Sequence, residues 1–96
     1  MQLEKDFHHA MLGIYQDALE QAGYRATRFK QLVDQLGGLA AAKQLLQSTD
    51  SKVSEGFTQL ALKNRLDLSL EVLVQKHPWS QLFSESELET ARKRLR

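Results

Sequence analysis

The histidines near the N-terminus are the first residues whose types and spacing suggest chemistry. Glu4 and His8 are four positions apart, so on a helix they would share one face and could offer two ligands to a metal ion. His8 and His9 are adjacent and would point about 100° apart on a helix, so both rings cannot easily hold one ion. His77 is distant in the sequence. Two ligands are too few for a closed site, and we expect solvent-facing histidines and no metal.

Serine, histidine and aspartate all occur, but the patterns that activate them for catalysis do not. No serine has the flanking glycines of a nucleophile elbow, and Gly37-Gly38 lacks the spacing and the following lysine of a phosphate-binding loop. Glu85 and Glu89 share an exposed helix turn in which nothing would tune a carboxyl group for acid catalysis. The chain has no cysteine, which excludes disulfides, thiolate metal sites and cysteine nucleophiles. We expect no catalytic residues, no cofactor and no enzymatic activity.

Two short segments interleave charge with large apolar side chains. The first carries Arg25 and Arg28, three positions apart. The second carries Asp67 and Glu71, four positions apart, so that each pair would share one face of a helix. We expect the arginines to meet the carboxylates in a partly buried ion cluster, which would support packing specificity more surely than stability. In the alternative, the arginines hold a phosphate or an acidic partner. Arg65 belongs to the same candidate set.

The densest positive charge lies at the C-terminal end of the chain. Its cations are Arg92, Lys93, Arg94 and Arg96. Together with Lys63, this run could contact nucleic-acid phosphates. The simpler interpretation is a solvated helix end whose cations complement exposed carbonyl groups, with nearby glutamates diluting the positive field. The formal net charge is only +1, which by itself argues neither for nucleic acid nor for an anionic membrane. Nucleic-acid contact is therefore the alternative here.

Residues 27–46 resemble a helix-turn-helix unit, because two amphipathic segments meet at Gly37-Gly38. Only one lysine and two glutamines of the second segment could reach base edges. Its three alanines suit close helix packing better than insertion into a DNA groove. Packing is therefore favoured over DNA recognition for this unit.

Hydrophobic spacing predicts one all-α domain, a compact bundle of about six helices. Proline occurs once and glycine five times, which favours long helices over a many-turned β-fold. Residues 66–74 alternate apolar side chains as a strand would, but the chain offers no second strand to pair with them, so a helix is favoured there. The helices are predicted at about 2–22, 25–36, 39–47, 54–64, 67–76 and 85–95.

The last predicted helix begins with the clearest local signal in the chain. Ser84 can accept a hydrogen bond from the backbone N–H of Glu87, and the Glu87 carboxylate can reach back to the N–H of Ser84. Phe83 and Leu88 stand where a hydrophobic staple requires them. The only tryptophan, Trp79, is expected to pack inward beside Phe83. This signal predicts structure and not chemistry.

Composition indicates a small globular protein. The 96 residues are 42% hydrophobic and 26% charged, which suits a single core. The N-terminus lacks a basic start followed by an apolar stretch, and no apolar run is long enough to cross a membrane. We expect a cytoplasmic location without membrane association. The first helix carries an apolar stripe that is long for so small a domain, and a half-covered stripe would bind a partner or a second copy.

Five segments follow one another in a characteristic order: YRATRF, GGLAAAKQLL, SEGFTQL, RLDLSLEVLV and LFSESELETARKRL. In this order they resemble a bacterial domain family of uncharacterised function, over residues 24–95 and without the first helix. The resemblance implies a small helical accessory module, alone or appended to larger bacterial proteins that include enzymes of DNA restriction and other nucleic-acid chemistry. It implies no activity and no catalytic residues.

The favoured function is a non-enzymatic interaction module that binds a protein partner or forms a homodimer. A nucleic-acid-associated accessory module is the alternative from a different class. A small-molecule enzyme is the least favoured function, because it would need a polar pocket and no residue pattern in the sequence predicts one.

Overall fold

Every regular element is helical in residues 2–47 and 55–95, the part of the chain that the computed structural model describes. The α-helices are α1 (Gln2–Ala22), α2 (Thr27–Leu36), α3 (Gly38–Gln47), α4 (Glu55–Leu62), α5 (Leu70–Leu73) and α6 (Glu85–Arg94). Two 3₁₀ turns, η1 (Leu66–Leu68) and η2 (Trp79–Leu82), flank α5. The predicted all-α, single-domain fold is confirmed.

Helix α1 supports the rest of the fold along its length, because it contacts α2, α3 and both 3₁₀ turns. It buries Phe7, Met11 and Ala18, whose spacing of four and seven places them on one helical face. The helix ends before Gly23, which has φ of 66°, a left-handed conformation that glycine adopts without strain.

Helix α3 is the most enclosed of the longer helices, since it contacts α1, α2 and α6. A single residue, Gly37, joins it to α2, with φ of 85° and its N–H donated to the carbonyl of Val33 at 2.9 Å. The buried residues of α3 are Gly38, Ala41, Ala42 and Leu46. Small side chains on three of these four positions let the neighbouring helices approach closely.

The structure has a main core and a smaller one. The main core consists of Phe7, Met11, Val33, Ala41, Ala42, Leu46, Leu70, Leu73, Val74, Phe83 and Ala91. Within it, the Phe7 ring lies 5.6 Å from Trp79 and 5.4 Å from Phe83, centroid to centroid, so the inward packing predicted for Trp79 is confirmed. The smaller core joins α1, α4 and η1 through Ala18, Leu60 and Leu68.

The helix predicted over 67–76 is broken at Ser69. The backbone of Ser69 is extended, with φ −84° and ψ 157°, and its Oγ accepts a hydrogen bond from the N–H of Val72 at 3.3 Å. Serine at such a position starts a new helix. The segment therefore forms η1 and the four-residue α5 in place of one long helix.

Other boundaries differ by one or two residues. Helix α2 begins at Thr27 and not at position 25, because Ala26 has non-helical dihedral angles, φ −83° and ψ 71°. Helix α4 ends at Leu62, and Asn64, with φ of 59°, adopts the left-handed conformation that follows a helix end. The predicted start of this helix at position 54 lies outside the described residues.

Candidate functional site

A depression beside ionisable groups lies between α1 and the α2–α3 turn. It encloses about 220 Å³ and is lined by Glu4, Lys5, His8, Leu36, Gly37, Gly38 and Leu39. We call it the Leu36 depression. Leu36 is 44% exposed, whereas Glu4 and Lys5 are exposed charges on the α1 side. An apolar centre with a charged rim is the usual make-up of a protein–protein contact.

His8 forms the inner wall of the depression and is not solvent-facing as the sequence suggested. Its Nδ1 accepts a hydrogen bond from the backbone N–H of Gly38 at 2.9 Å. Gly38 begins α3, so this N–H is one of the donors that lack a partner within the helix. A Cβ built on Gly38 would lie 2.6 Å from the Cα of His8, so only glycine permits this approach. His9 is exposed, in line with the expectation for it.

The described residues provide no third ligand that would complete a metal site with Glu4 and His8. The described residues contain no group of three or more histidine, cysteine, aspartate or glutamate side chains that could hold an ion. The Nδ1 of His8 is already used as an acceptor by Gly38.

The predicted ion cluster is divided between two places. Arg65 and Asp67 of the candidate set pair with each other, whereas Glu71 has a partner outside that set. Glu71, with a side chain 3% exposed, pairs with Arg94 of α6 at 3.0 Å. Arg94 Nη2 also donates to the carbonyl of Leu46 at 3.4 Å, so one guanidinium joins α3, α5 and α6. The sequence offered Arg94 for nucleic-acid contact, and its side chain is only 15% exposed.

The second place is a local pair on the surface. Arg65 Nε lies 3.0 Å from Asp67 Oδ1, and Arg65 Nη2 donates to Gln21 of α1 at 2.7 Å. The hydrogen bond from Arg65 lowers the pKa of the Asp67 carboxyl below its usual value, and the same bond raises the pKa of Arg65. The pair fastens η1 to the C-terminal half of α1.

Arg25 and Arg28 do not join these carboxylates. Both are exposed, and neither side chain forms an ion pair or a hydrogen bond within residues 2–47 and 55–95. Arg28 lies in the first turn of α2 and Arg25 just before that helix, whereas Glu71 is buried beneath α6. Their predicted pairing was wrong in its partners, because two arginines closer to the carboxylates already occupy them.

The remaining basic candidates divide into engaged and available residues. Arg92 is engaged by Glu85 at 2.7 Å and Glu89 at 3.1 Å. The hydrogen bonds that Arg92 donates to these two carboxylates raise the pKa of Arg92. Lys63 and Lys93 are exposed and make no ion pair with described residues. Arg96 lies outside the described residues.

The predicted capping box at the start of α6 is confirmed, and it extends further than the sequence indicated. Ser84 Oγ accepts from the N–H of Glu87 at 3.1 Å, and Glu87 Oε1 accepts from the N–H of Ser84 at 2.8 Å. Lys43 of α3 also donates to that oxygen at 2.9 Å and stands 5.1 Å from the ring centroid of Phe83. The cap therefore attaches α6 to α3.

Glu87 is partly buried in this network. Burial alone would raise the pKa of its carboxyl group, but the hydrogen bonds from Ser84 and Lys43 outweigh burial and leave its pKa below the usual value. The ionised form is thus the one that the fold retains.

The long apolar stripe of α1 is used for the fold. Its central residues Phe7 and Met11 are fully buried, and Ala10, Leu12 and Ile14 pack beside the main core. The large hydrophobic side chains that are strongly exposed in the described part of the chain are instead Leu36 and Leu62, at 44% and 76%. The surface suggested by the α1 stripe is therefore covered.

Sequence reasoning missed the contacts that join distant helices. The residues around His8 give no sign of its contact with Gly38, and nothing in the basic run distinguishes the partly buried Arg94 from its neighbours. The one available signal was Gly37-Gly38 itself, where the second glycine is not needed for the turn and so indicates close packing.

Comparison with known proteins identifies no relative: no family model, no curated protein and no solved structure matches the chain. Among the described helices, none is long and apolar enough to cross a membrane.

Proposed function

We propose that the chain is a non-enzymatic helical interaction module that binds a protein partner or a second copy of itself. The Leu36 depression carries this proposal. It combines the exposed Leu36 with opposite charges at Glu4 and Lys5.

The resemblance of residues 24–95 to a bacterial family of helical accessory modules supports the same proposal. On that resemblance we expect a bacterial protein that works in the cytoplasm. Two of the basic side chains offered for nucleic acid, Arg92 and Arg94, are engaged in internal pairs, which makes a protein partner the better-supported choice.

Self-association is tested by sedimentation velocity from about 10 μM to 1 mM. If the Leu36 depression is a dimer contact, the weight-average sedimentation coefficient rises with concentration, and Leu36→Ser abolishes the rise. Leu62→Ser is the matched control, because Leu62 is more exposed but belongs to α4, near the other end of α1. Equal effects of the two variants would contradict a specific role for the depression.

A different partner is tested by placing a photo-crosslinking amino acid at position 36 in the producing cell. The expected result is a defined adduct with one protein, identified by mass spectrometry. The same substitution at position 62 is the control. If the protein is monomeric and position 36 yields no adduct beyond that control, the proposal fails.

A nucleic-acid-associated role is the second candidate, favoured by Arg25 and Arg28, which are exposed and form no ion pair with any described residue. It predicts that fluorescence anisotropy detects binding to duplex DNA at low salt, and that changing both arginines to alanine reduces the salt slope by about 2. Arg92→Ala is the matched control, because Arg92 is neutralised by Glu85 and Glu89. Absence of binding at micromolar protein and low salt removes this candidate.

A further inference from the structure

His8 and Gly38 hold α1 and α3 together in a geometry that depends on one proton. A ring nitrogen accepts a hydrogen bond only when it carries no proton. The 2.9 Å contact from the Gly38 N–H to Nδ1 therefore requires a neutral imidazole whose proton resides on Nε2. The ring completes the first turn of α3 from another helix, where a side chain of α3 itself would ordinarily do so.

Protonation of the ring would set two donors against each other. The Nδ1–H would face the Gly38 N–H, and the new positive charge would lie at the positive end of the α3 dipole. The Gly38 backbone lies so close to the Cα of His8 that no Cβ fits between them, so a protonated ring that stayed beside Gly38 would keep the two donors opposed. Either the ring leaves Gly38 or the two helices separate.

The neighbouring charges do not replace the lost contact. Glu4 and Lys5 line the same depression from α1 and carry opposite charges. The His9 ring lies 5.9 Å from the His8 ring, centroid to centroid. The other side of the depression is formed by Leu36, Gly37, Gly38 and Leu39, none of which titrates.

We propose that His8 and Gly38 form a proton-sensitive latch between α1 and α3, closed by the neutral imidazole and opened when the ring is protonated. The latch is a property of the fold and does not depend on the proposed interaction function. Acidification would loosen the α2–α3 turn without affecting the smaller core near the other end of α1.

The matched variants are His8→Asn and His9→Asn. Asparagine at position 8 offers an amide oxygen near the place of Nδ1 and does not titrate. At position 9 the same change has the same effect on helix propensity but leaves the hydrogen bond between Gly38 and His8 intact. Between about pH 7.5 and pH 5, the unfolding equilibrium constant of the wild type should rise about three- to tenfold more than that of His8→Asn, the range expected for one hydrogen bond. His9→Asn should follow the wild type.

A second measurement keeps the proposal testable if His8→Asn does not fold. In the wild type, long-range ¹⁵N–¹H spectra should show the Nε2–H form of His8 at neutral pH, and the Gly38 amide signal should shift with the same midpoint as the ring. Parallel pH profiles for the wild type and His8→Asn would overturn the latch. An Nδ1–H form of His8 at neutral pH would also overturn the latch. The same holds for a Gly38 amide signal that does not shift when the ring is protonated.

Discussion

The two ends of α1 are fastened by different kinds of contact. At the N-terminal end, α3, α5, α6 and η2 share the main core, and side-chain bonds cross between elements that are far apart in sequence. At the C-terminal end, the smaller core has only three buried residues, one each from α1, α4 and η1. The side-chain bonds of Arg65 to Asp67 and Gln21 there are exposed to solvent. We infer that the first end determines global stability and that the second can open locally.

The largest expected effect concerns the buried ion pair. Glu71→Ala leaves the Arg94 guanidinium without its buried partner, which should lower the free energy of unfolding by about 3 kcal/mol. Chemical denaturation monitored by circular dichroism measures this loss. Asp67→Ala is the control at the other end and should leave the midpoint nearly unchanged, because its pair is exposed. Similar losses in both variants would remove the contrast between the ends.

The next effect concerns the close approach of α1 and α3. Gly38→Ala places a Cβ 2.6 Å from the Cα of His8, and the forced separation should cost about 2 kcal/mol. Gly13→Ala, within α1, meets no atom within 4 Å and should stabilise the helix by about 0.5–1 kcal/mol. Thermal unfolding distinguishes these opposite signs, and a neutral Gly38→Ala would show that the helices are not in such close contact.

Native-state hydrogen exchange tests the comparison without mutation. Helix α4 packs against the smaller core, whereas α3 contacts three helices. Amides of α4 should therefore exchange at least about tenfold faster than those of α3 after correction for intrinsic rates. Uniform protection in both helices would mean that the whole domain opens only as one unit.

The smallest effect concerns the cap that joins α6 to α3. Glu87→Gln weakens the bonds to Ser84 and Lys43 and should cost about 1 kcal/mol at neutral pH. Because the folded-state pKa of Glu87 is lowered, its ionised form stabilises the fold above about pH 4.3, the unfolded value. That contribution is lost as the pH falls through the folded-state value.

The difference between wild type and Glu87→Gln should accordingly shrink in acid, as stability curves at several pH values would show. Glu85→Gln is the control in the same first turn, since the Glu85 side chain is 83% exposed. It should cost less than Glu87→Gln at neutral pH. An undiminished difference below the folded-state value would contradict the assigned role of the carboxylate.

The fold class was predictable because helical periodicity and capping are local properties. The spacing of Phe7, Met11 and Ala18 determines the buried face of α1, and the bonds between Ser84 and Glu87 span three residues. The break at Ser69 was harder to foresee, because the same serine could cap a helix or lie within one. In the structure the backbone of Ser69 is extended, which shows that this serine caps α5.

The contacts of the candidate site were not predictable in the same way. Arg94 and Glu71 are 23 positions apart, and His8 and Gly38 are 30 apart. Which arginine reaches a buried glutamate depends on how helices cross, and one sequence contains no direct record of that crossing. Charge spacing therefore identified Glu71 as a packing residue but assigned it to the wrong arginines.

The position of Trp79 has a practical consequence for optical work. The indole touches the Phe7 ring in the main core, and it is the only tryptophan of the chain. Its emission will follow melting at one end of α1 and ignore fraying at the other, whereas far-ultraviolet circular dichroism averages over both. Any gap between the two traces would give the population in which α4 alone has detached.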